Sequence, residues 1–99
     1  MATKRLYYVK SIHRGHETIY EGTLEYLENQ VFGYTLECGA SWNHKIPRYP
    51  KTLKSLVKAL DDSAYETNHY YDTYYESSKA EFDAAKDKEG VHAYAQEAL

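Results

Sequence analysis

Histidine and cysteine are the side chains of this sequence most suited to binding a metal or attacking a substrate. His13 and His16 flank Arg14-Gly15 with a His-x-x-His spacing, and zinc sites use such ligands. No CxxC or HExxH motif accompanies them, so we interpret both as solvated hairpin residues. Cys38 falls on the apolar face of an alternating segment, which favours a buried, unreactive thiol over a nucleophile. We therefore predict no metal site and no cofactor.

A catalytic motif is also absent from the sequence. It contains neither a glycine-rich phosphate loop nor a GxSxG motif. Glu21, Glu25 and Glu37 fall on the predicted solvent face of a sheet, where carboxylates serve solubility. We expect a protein that is not an enzyme and has no catalytic residue.

A group of five cations runs from a loop into a predicted helix, with no acid among them. It consists of Lys45, Arg48, Lys51, Lys54 and Lys58. Three of the lysines share one helix face. Trp42 and Tyr49 are close to these cations in sequence, and their rings could stack on bases. A positive face with aromatic rings is typical of nucleic-acid binding. One hypothesis is therefore a regulatory module that binds nucleic acid through Arg48, Tyr49, Lys51, Lys54 and Lys58.

The acidic, tyrosine-rich segment from Tyr65 to Glu76 is the second unusual group, with five tyrosines and three acids in twelve residues. Tyrosines recur there at i, i+1, i+4 and i+5, which predicts a helix. We expect Tyr71 and Tyr75 to pack inward with Phe82, and the remaining tyrosines and a row of carboxylates to bind a partner. The predicted partner-binding residues are Tyr70, Asp72, Tyr74, Glu76, Asp83 and Asp87.

Length and composition define the class of protein. Ninety-nine residues fit one domain, and 42% hydrophobic with 27% charged residues is close to the average for a globular protein. The net charge is −3, with +4 on the first 60 residues and −7 on the rest. The longest apolar run is far too short for a bilayer span, and a single cysteine favours a reducing compartment. We expect a cytoplasmic protein that does not bind membranes.

The first half of the chain predicts antiparallel strands followed by a helix. Segments 3–13 and 17–27 are rich in β-branched and aromatic residues and are separated by a turn at Gly15. Phe32 to Trp42 alternates apolar with small or polar residues, which predicts the central strand of the sheet. A helix follows the loop 43–51, because Thr52 can cap it and one apolar stripe runs along it. The stripe consists of Leu53, Leu56, Val57, Leu60 and Ala64.

The second half predicts helix, because no glycine or proline occurs between Pro50 and Gly90. Ser63 and Ser78 each precede a glutamate by three residues, which is the spacing of a capping box. Gly90 suits the C-terminal cap of the last helix.

Together these patterns predict an α+β fold. A sheet of three or four antiparallel strands would be packed by one amphipathic helix and followed by an acidic, tyrosine-rich helical segment. Residues 1–62 would form the sheet and the helix, residues 63–90 the acidic segment of the same domain, and residues 91–99 a frayed tail.

In size, acidity and lack of a catalytic motif, the chain resembles phage-encoded inhibitors of host defence proteins, including DNA mimics. The resemblance implies a small interaction or inhibitor protein that docks its acidic helix on a basic, nucleic-acid-binding surface of a partner protein. The nucleic-acid-binding module is one alternative, and a binder of a small anionic ligand or nucleotide at an oligomer interface is another. The acidic helix could also bind the basic face of a second copy, which would give a homo-oligomer.

Overall fold

The computed structural model of the protein describes residues 5–69 and 71–96. It begins with a β-hairpin formed by β1 (Tyr7–His13) and β2 (His16–Gly22). Arg14 has a φ of 51° and Gly15 a φ of 85°, and positive φ at both central residues is what a two-residue hairpin turn requires. The predicted hairpin is therefore confirmed.

A helical stretch follows the hairpin. It consists of the short helix α1 (Leu24–Tyr26), a π-helical turn (Leu27–Val31) and the helix α2 (Gly33–Trp42). Thr23 begins this stretch, since its side-chain hydroxyl accepts a hydrogen bond from the backbone N–H of Tyr26 at 3.2 Å.

The prediction that Phe32 to Trp42 forms the central strand is wrong. Phe32 and Leu36 fit the alternating pattern, but Phe32, Leu36 and Gly39 also recur at i, i+4 and i+7, and all three are buried on one side of α2 and its N-cap. Gly39 contacts the next helix so closely that an added Cβ would lie 2.0 Å from the Oγ of Ser63. Packing against that helix therefore outweighs the β propensity of this segment, and Trp42 is 74% exposed.

The predicted amphipathic helix is confirmed as α3 (Leu53–Glu66). The Oγ1 of Thr52 accepts a hydrogen bond from the N–H of Ser55 at 3.1 Å, and Leu56, Leu60 and Ala64 are buried. The helix continues through Ser63, so the capping box predicted there is wrong: Ser63 is fully buried against α2.

The C-terminal third is not the helical segment that was predicted for residues 63–90. It forms β3 (Asp72–Glu76), α4 (Lys79–Lys86) and β4 (Val91–Ala95). Tyrosine and threonine favour strands, and β3 pairs antiparallel with β1 along its full length. Ser78 does cap α4 as its spacing predicted, since its Oγ accepts the N–H of Glu81. The prediction of a frayed tail is wrong for Val91–Ala95, because these residues pair with β2.

The α+β fold class is confirmed, with four strands in the order β3-β1-β2-β4. β1 is antiparallel to both of its neighbours, but β2 and β4 are parallel, so the sheet is mixed. Helices cover both faces. The π-turn, α2 and α3 pack on one face with Val9, and α4 packs Phe82 on the other against Tyr8 and Ile19. None of the helices in residues 5–69 and 71–96 has the length and apolar character needed to cross a bilayer.

Candidate interaction surfaces

The tyrosine-rich segment differs most from what the sequence predicted. Tyr74 lies opposite Ser11 in β1, on the sheet face that α2 and α3 cover. Its side chain is 8% exposed, and its ring meets the ring of Phe32 edge-on at 5.9 Å between centroids. Burial, with Asp72 and Asp61 nearby, raises the pKa of Tyr74 to about 12. The prediction that Tyr74 contacts another molecule is therefore wrong, and Tyr70 lies outside the described residues.

Tyr71 and Tyr75, which were predicted to pack inward, are instead 69% and 47% exposed. Each ring already has a cation above it. The guanidinium carbon of Arg14 lies 5.2 Å from the Tyr71 centroid, and the Nζ of Lys10 lies 5.5 Å from the Tyr75 centroid. Strand alternation explains the inversion, because Tyr75 must point away from the face that buries Tyr74.

The four predicted carboxylates do not form one row. Asp72 and Glu76 lie on β3, whereas Asp83 and Asp87 lie on or just after α4, across the sheet. Asp72 contacts the Nδ1 of His13. The carboxylate of Asp83 lies 2.9 Å from the Nζ of Lys79 and 3.5 Å from that of Lys86, and these lysines lower its pKa. The acidic surface is therefore divided between two sides of the molecule and partly neutralised within it.

The basic residues remain together at the surface. We define the basic aromatic face as the exposed residues at the end of α2, in the following loop and on the first turns of α3. It consists of Trp42, Lys45, Arg48, Tyr49, Lys51, Lys54 and Lys58, all of them exposed. The Nη2 of Arg48 lies 3.9 Å from the Oε1 of Glu37, and the Nζ of Lys58 lies 2.8 Å from the Oδ2 of Asp62. In residues 5–69 and 71–96, Lys45, Lys51 and Lys54 have no carboxylate within ion-pair distance.

A cleft of about 280 Å³ opens beside this face, between the π-turn, α2 and the loop. It is lined by Glu28, Asn29, Gly33, Tyr34, Glu37, Arg48 and Tyr49. Tyr34 and Tyr49 are 82% and 66% exposed, so their rings stand at its rim. Arg48 and Tyr49 belong to both the cleft and the basic aromatic face, which makes the two surfaces continuous.

Glu28 is the buried charge of the cleft. Its side chain is only 8% exposed, and no donor among the described residues reaches its Oε1. Burial, and to a smaller extent Glu25, raise the pKa of Glu28. The sequence patterns above did not single out this residue. A signal was present, because Leu24, Glu28 and Val31 lie at i, i+4 and i+7, so a helix here places Glu28 in its apolar stripe.

A second, more open groove of about 520 Å³ lies between the π-turn and β4. The ring centroids of Tyr20 and Tyr94 lie 5.8 Å apart in a stacked arrangement, and those of His92 and Tyr94 lie 6.1 Å apart in another. These three rings therefore already stack on one another within the sheet. Among the described residues, no cluster of three or more His, Cys, Asp or Glu side chains could hold a metal ion.

No protein-family model, curated protein or solved structure matches this chain. The functional conclusion therefore depends on the geometry and charge of these surfaces.

Proposed function

We propose that this protein is a small non-enzymatic interaction protein of the cytoplasm, and that the basic aromatic face binds single-stranded nucleic acid. The observation that carries the proposal is that five cations and two aromatic rings between Trp42 and Lys58 are all exposed. The cytoplasmic assignment follows from its single cysteine, Cys38, which suits a reducing compartment.

Electrostatics on this face favour a polyanion. Lys45, Lys51 and Lys54 have no acidic partner within the described residues, so binding phosphates does not require breaking an ion pair there. The pairs of Arg48 with Glu37 and of Lys58 with Asp62 are largely exposed. Exposed pairs contribute only about 0–1 kcal/mol, so phosphate groups can replace these carboxylates at little cost. Phosphate neutralisation also releases counterions, which drives binding at low salt.

The exposed rings favour a single strand over a duplex. Trp42 is 74% exposed and Tyr49 is 66% exposed, although burying these rings would stabilise the fold. Stacking of an unpaired base on such a ring contributes roughly 1–3 kcal/mol, whatever the base. Bases within a duplex are already stacked and cannot use these rings.

Fluorescence anisotropy with labelled single-stranded DNA and RNA, titrated with salt, tests the proposal. We expect binding that weakens steeply as salt rises, and loss of binding in Lys51→Glu and Lys54→Glu. Lys88→Glu is the matched control, since Lys88 is exposed just after α4 on the far side of the sheet. Equal binding by all three variants, or no binding by the wild type, would overturn the proposal.

A protein partner with a basic surface is the second candidate function, including inhibition of a host defence protein. The observation in its favour is the exposure of the rings of Tyr71 and Tyr75 on and just before β3. Affinity capture with a Tyr71→Ala/Tyr75→Ala double variant tests it, because a partner held by this surface would be lost. Light scattering on the same samples reports self-association.

A further inference from the structure

One carboxylate oxygen of Glu28 is buried but accepts no hydrogen bond from the described residues. Its side chain is more than nine-tenths buried, and its Oε1 receives no hydrogen bond from residues 5–69 and 71–96. Buried acceptors are nearly always paired, because an unpaired one loses its water without compensation. Once the side chain rotates toward the cleft that Glu28 lines, a ligand that brings donors to this carboxylate would therefore recover free energy that folding alone does not.

The backbone around Glu28 is also unusual. Glu28 lies in the π-turn between α1 and α2, and π-turns are rare and occur frequently at functional sites. The turn places Glu28 and Asn29 in the lining of the cleft with Tyr34 at the start of α2. A buried acceptor, an irregular turn and a cleft thus coincide at one position.

The size and rim of the cleft suit a single planar group. Its volume of about 280 Å³ is at the lower end of the roughly 300–1,000 Å³ typical of ligand pockets. Tyr34 and Tyr49 line it with exposed rings, and Arg48 lines it with a guanidinium. A cationic ligand such as a partner's arginine would be repelled by Arg48. A neutral base attached to a phosphate complements both the carboxylate and the guanidinium.

Among the bases, guanine matches the chemistry of a carboxylate. An ionised carboxylate only accepts hydrogen bonds, and the Watson–Crick edge of guanine offers two adjacent donors, N1–H and the N2 amino group. Adenine and cytosine place a ring acceptor beside their amino group, and uracil and thymine place carbonyl oxygens on both sides of one N–H. Each of the other bases would therefore set an acceptor against the carboxylate.

We propose that the cleft holds one guanine base of the bound single strand, with its Watson–Crick edge on Glu28 and its ring between Tyr34 and Tyr49. Arg48 would bind the adjoining phosphate, and the strand would continue along the lysines of the basic aromatic face. This inference rests on the proposed function and adds to it the base that is read and the residue that reads it.

Anisotropy with labelled RNA hexamers, A6 and the same strand with one central guanine, tests the inference. We expect the guanine strand to bind the wild type about tenfold more tightly, as one bidentate carboxylate–base contact allows. Glu28→Gln should lose this preference, because its amide donors oppose the donors of guanine. Glu25→Gln, one helical turn earlier and exposed, should keep the preference.

The outcomes separate the two proposals. If neither hexamer binds, the proposed function is overturned and the inference with it. If both bind equally well, or if Glu28→Gln keeps the preference, only the guanine site is overturned. Tyr34→Ala adds a variant with little risk to folding, since Tyr34 is 82% exposed. It should weaken binding of the guanine strand several-fold at an unchanged Tm, whereas Tyr94→Ala on β4 should not.

Discussion

The side chain of Asp61 on α3 accepts a hydrogen bond from the backbone N–H of Tyr74 on β3, at 3.1 Å. β3 is an edge strand, and the unpaired N–H groups of an edge strand are templates for pairing with other chains. Asp61 therefore closes the outer side of β3 at its central residue. Burial raises the pKa of Asp61, and the hydrogen bond from Tyr74 partly offsets that rise.

Removal of this acceptor should destabilise the fold. Asp61→Ala leaves the N–H of Tyr74 without its partner, and we expect the free energy of unfolding to fall by about 1–2 kcal/mol. Asp61→Asn keeps a carbonyl acceptor and should stay within roughly 0.5 kcal/mol of the wild type. Urea denaturation followed by circular dichroism measures both. Equal loss in the two variants would mean that the charge, and not the acceptor, stabilises this edge.

Gly39 provides a test of the contact between α2 and α3. An alanine normally stabilises a helix by about 1 kcal/mol relative to glycine, but a Cβ at Gly39 would lie 2.0 Å from the Oγ and 2.9 Å from the Cα of Ser63. We therefore expect Gly39→Ala to destabilise the protein by about 1–3 kcal/mol. Ser63→Gly should restore part of this loss in the double variant, as a thermodynamic cycle from chemical denaturation would show. Stabilisation by Gly39→Ala would contradict the close packing.

Glu28 should make stability fall as pH rises. Burial raises its folded pKa above the ordinary value of 4.5, so the folded state binds this proton more tightly than the unfolded state. The contribution of Glu28 is fully present below pH 4.5 and is lost as pH rises through the folded pKa. Glu28→Gln should therefore raise the Tm at pH 7, with a gain that disappears near pH 4. A Tm gain that is the same at both pH values would contradict this account.

Glu81 should show the opposite pH dependence. Hydrogen bonds from Ser77 and then Lys10 lower its folded pKa below the ordinary value of 4.5. Its contribution is therefore present above pH 4.5 and is lost as pH falls through the folded pKa. Because the side chain is 45% exposed, we expect Glu81→Gln to cost only about 0.2–1 kcal/mol at pH 7. Urea midpoints at pH 7 and pH 3 measure this, and a cost at pH 3 equal to that at pH 7 would contradict it.

Local sequence signals correctly predicted the elements that are bounded by a tight turn or begin at a capping side chain. The two-residue turn at Arg14-Gly15 fixes the hairpin, and the hydroxyls of Thr52 and Ser78 begin α3 and α4. No comparable signal separates helix from strand in α2 or β3. Phe32 and Leu36 fit both periods, and packing against residues distant in sequence, such as that of Gly39 against Ser63, favours the helix.

The candidate sites were predictable to the extent that they depend on charge. Runs of lysine stay exposed in almost any fold, so the basic aromatic face could be recognised from sequence. Burial of Tyr74 could not, because it depends on which strands pair, and burial of Glu28 is signalled by its apolar stripe only if that segment is helical. For Tyr74 the deciding event is the pairing of β3 with β1, and for Glu28 it is the π-turn.

The strand order has a consequence for how the chain is made. The central pair is complete once residue 22 has been synthesised, but the neighbours on its two flanks begin only at Asp72 and Val91. A nascent or prematurely terminated chain therefore presents a two-stranded ribbon with two unpaired strand edges, and each edge can pair with another chain. We expect such products to be the form of this molecule most prone to aggregation, and pairing with β3 and β4 is what protects the complete fold.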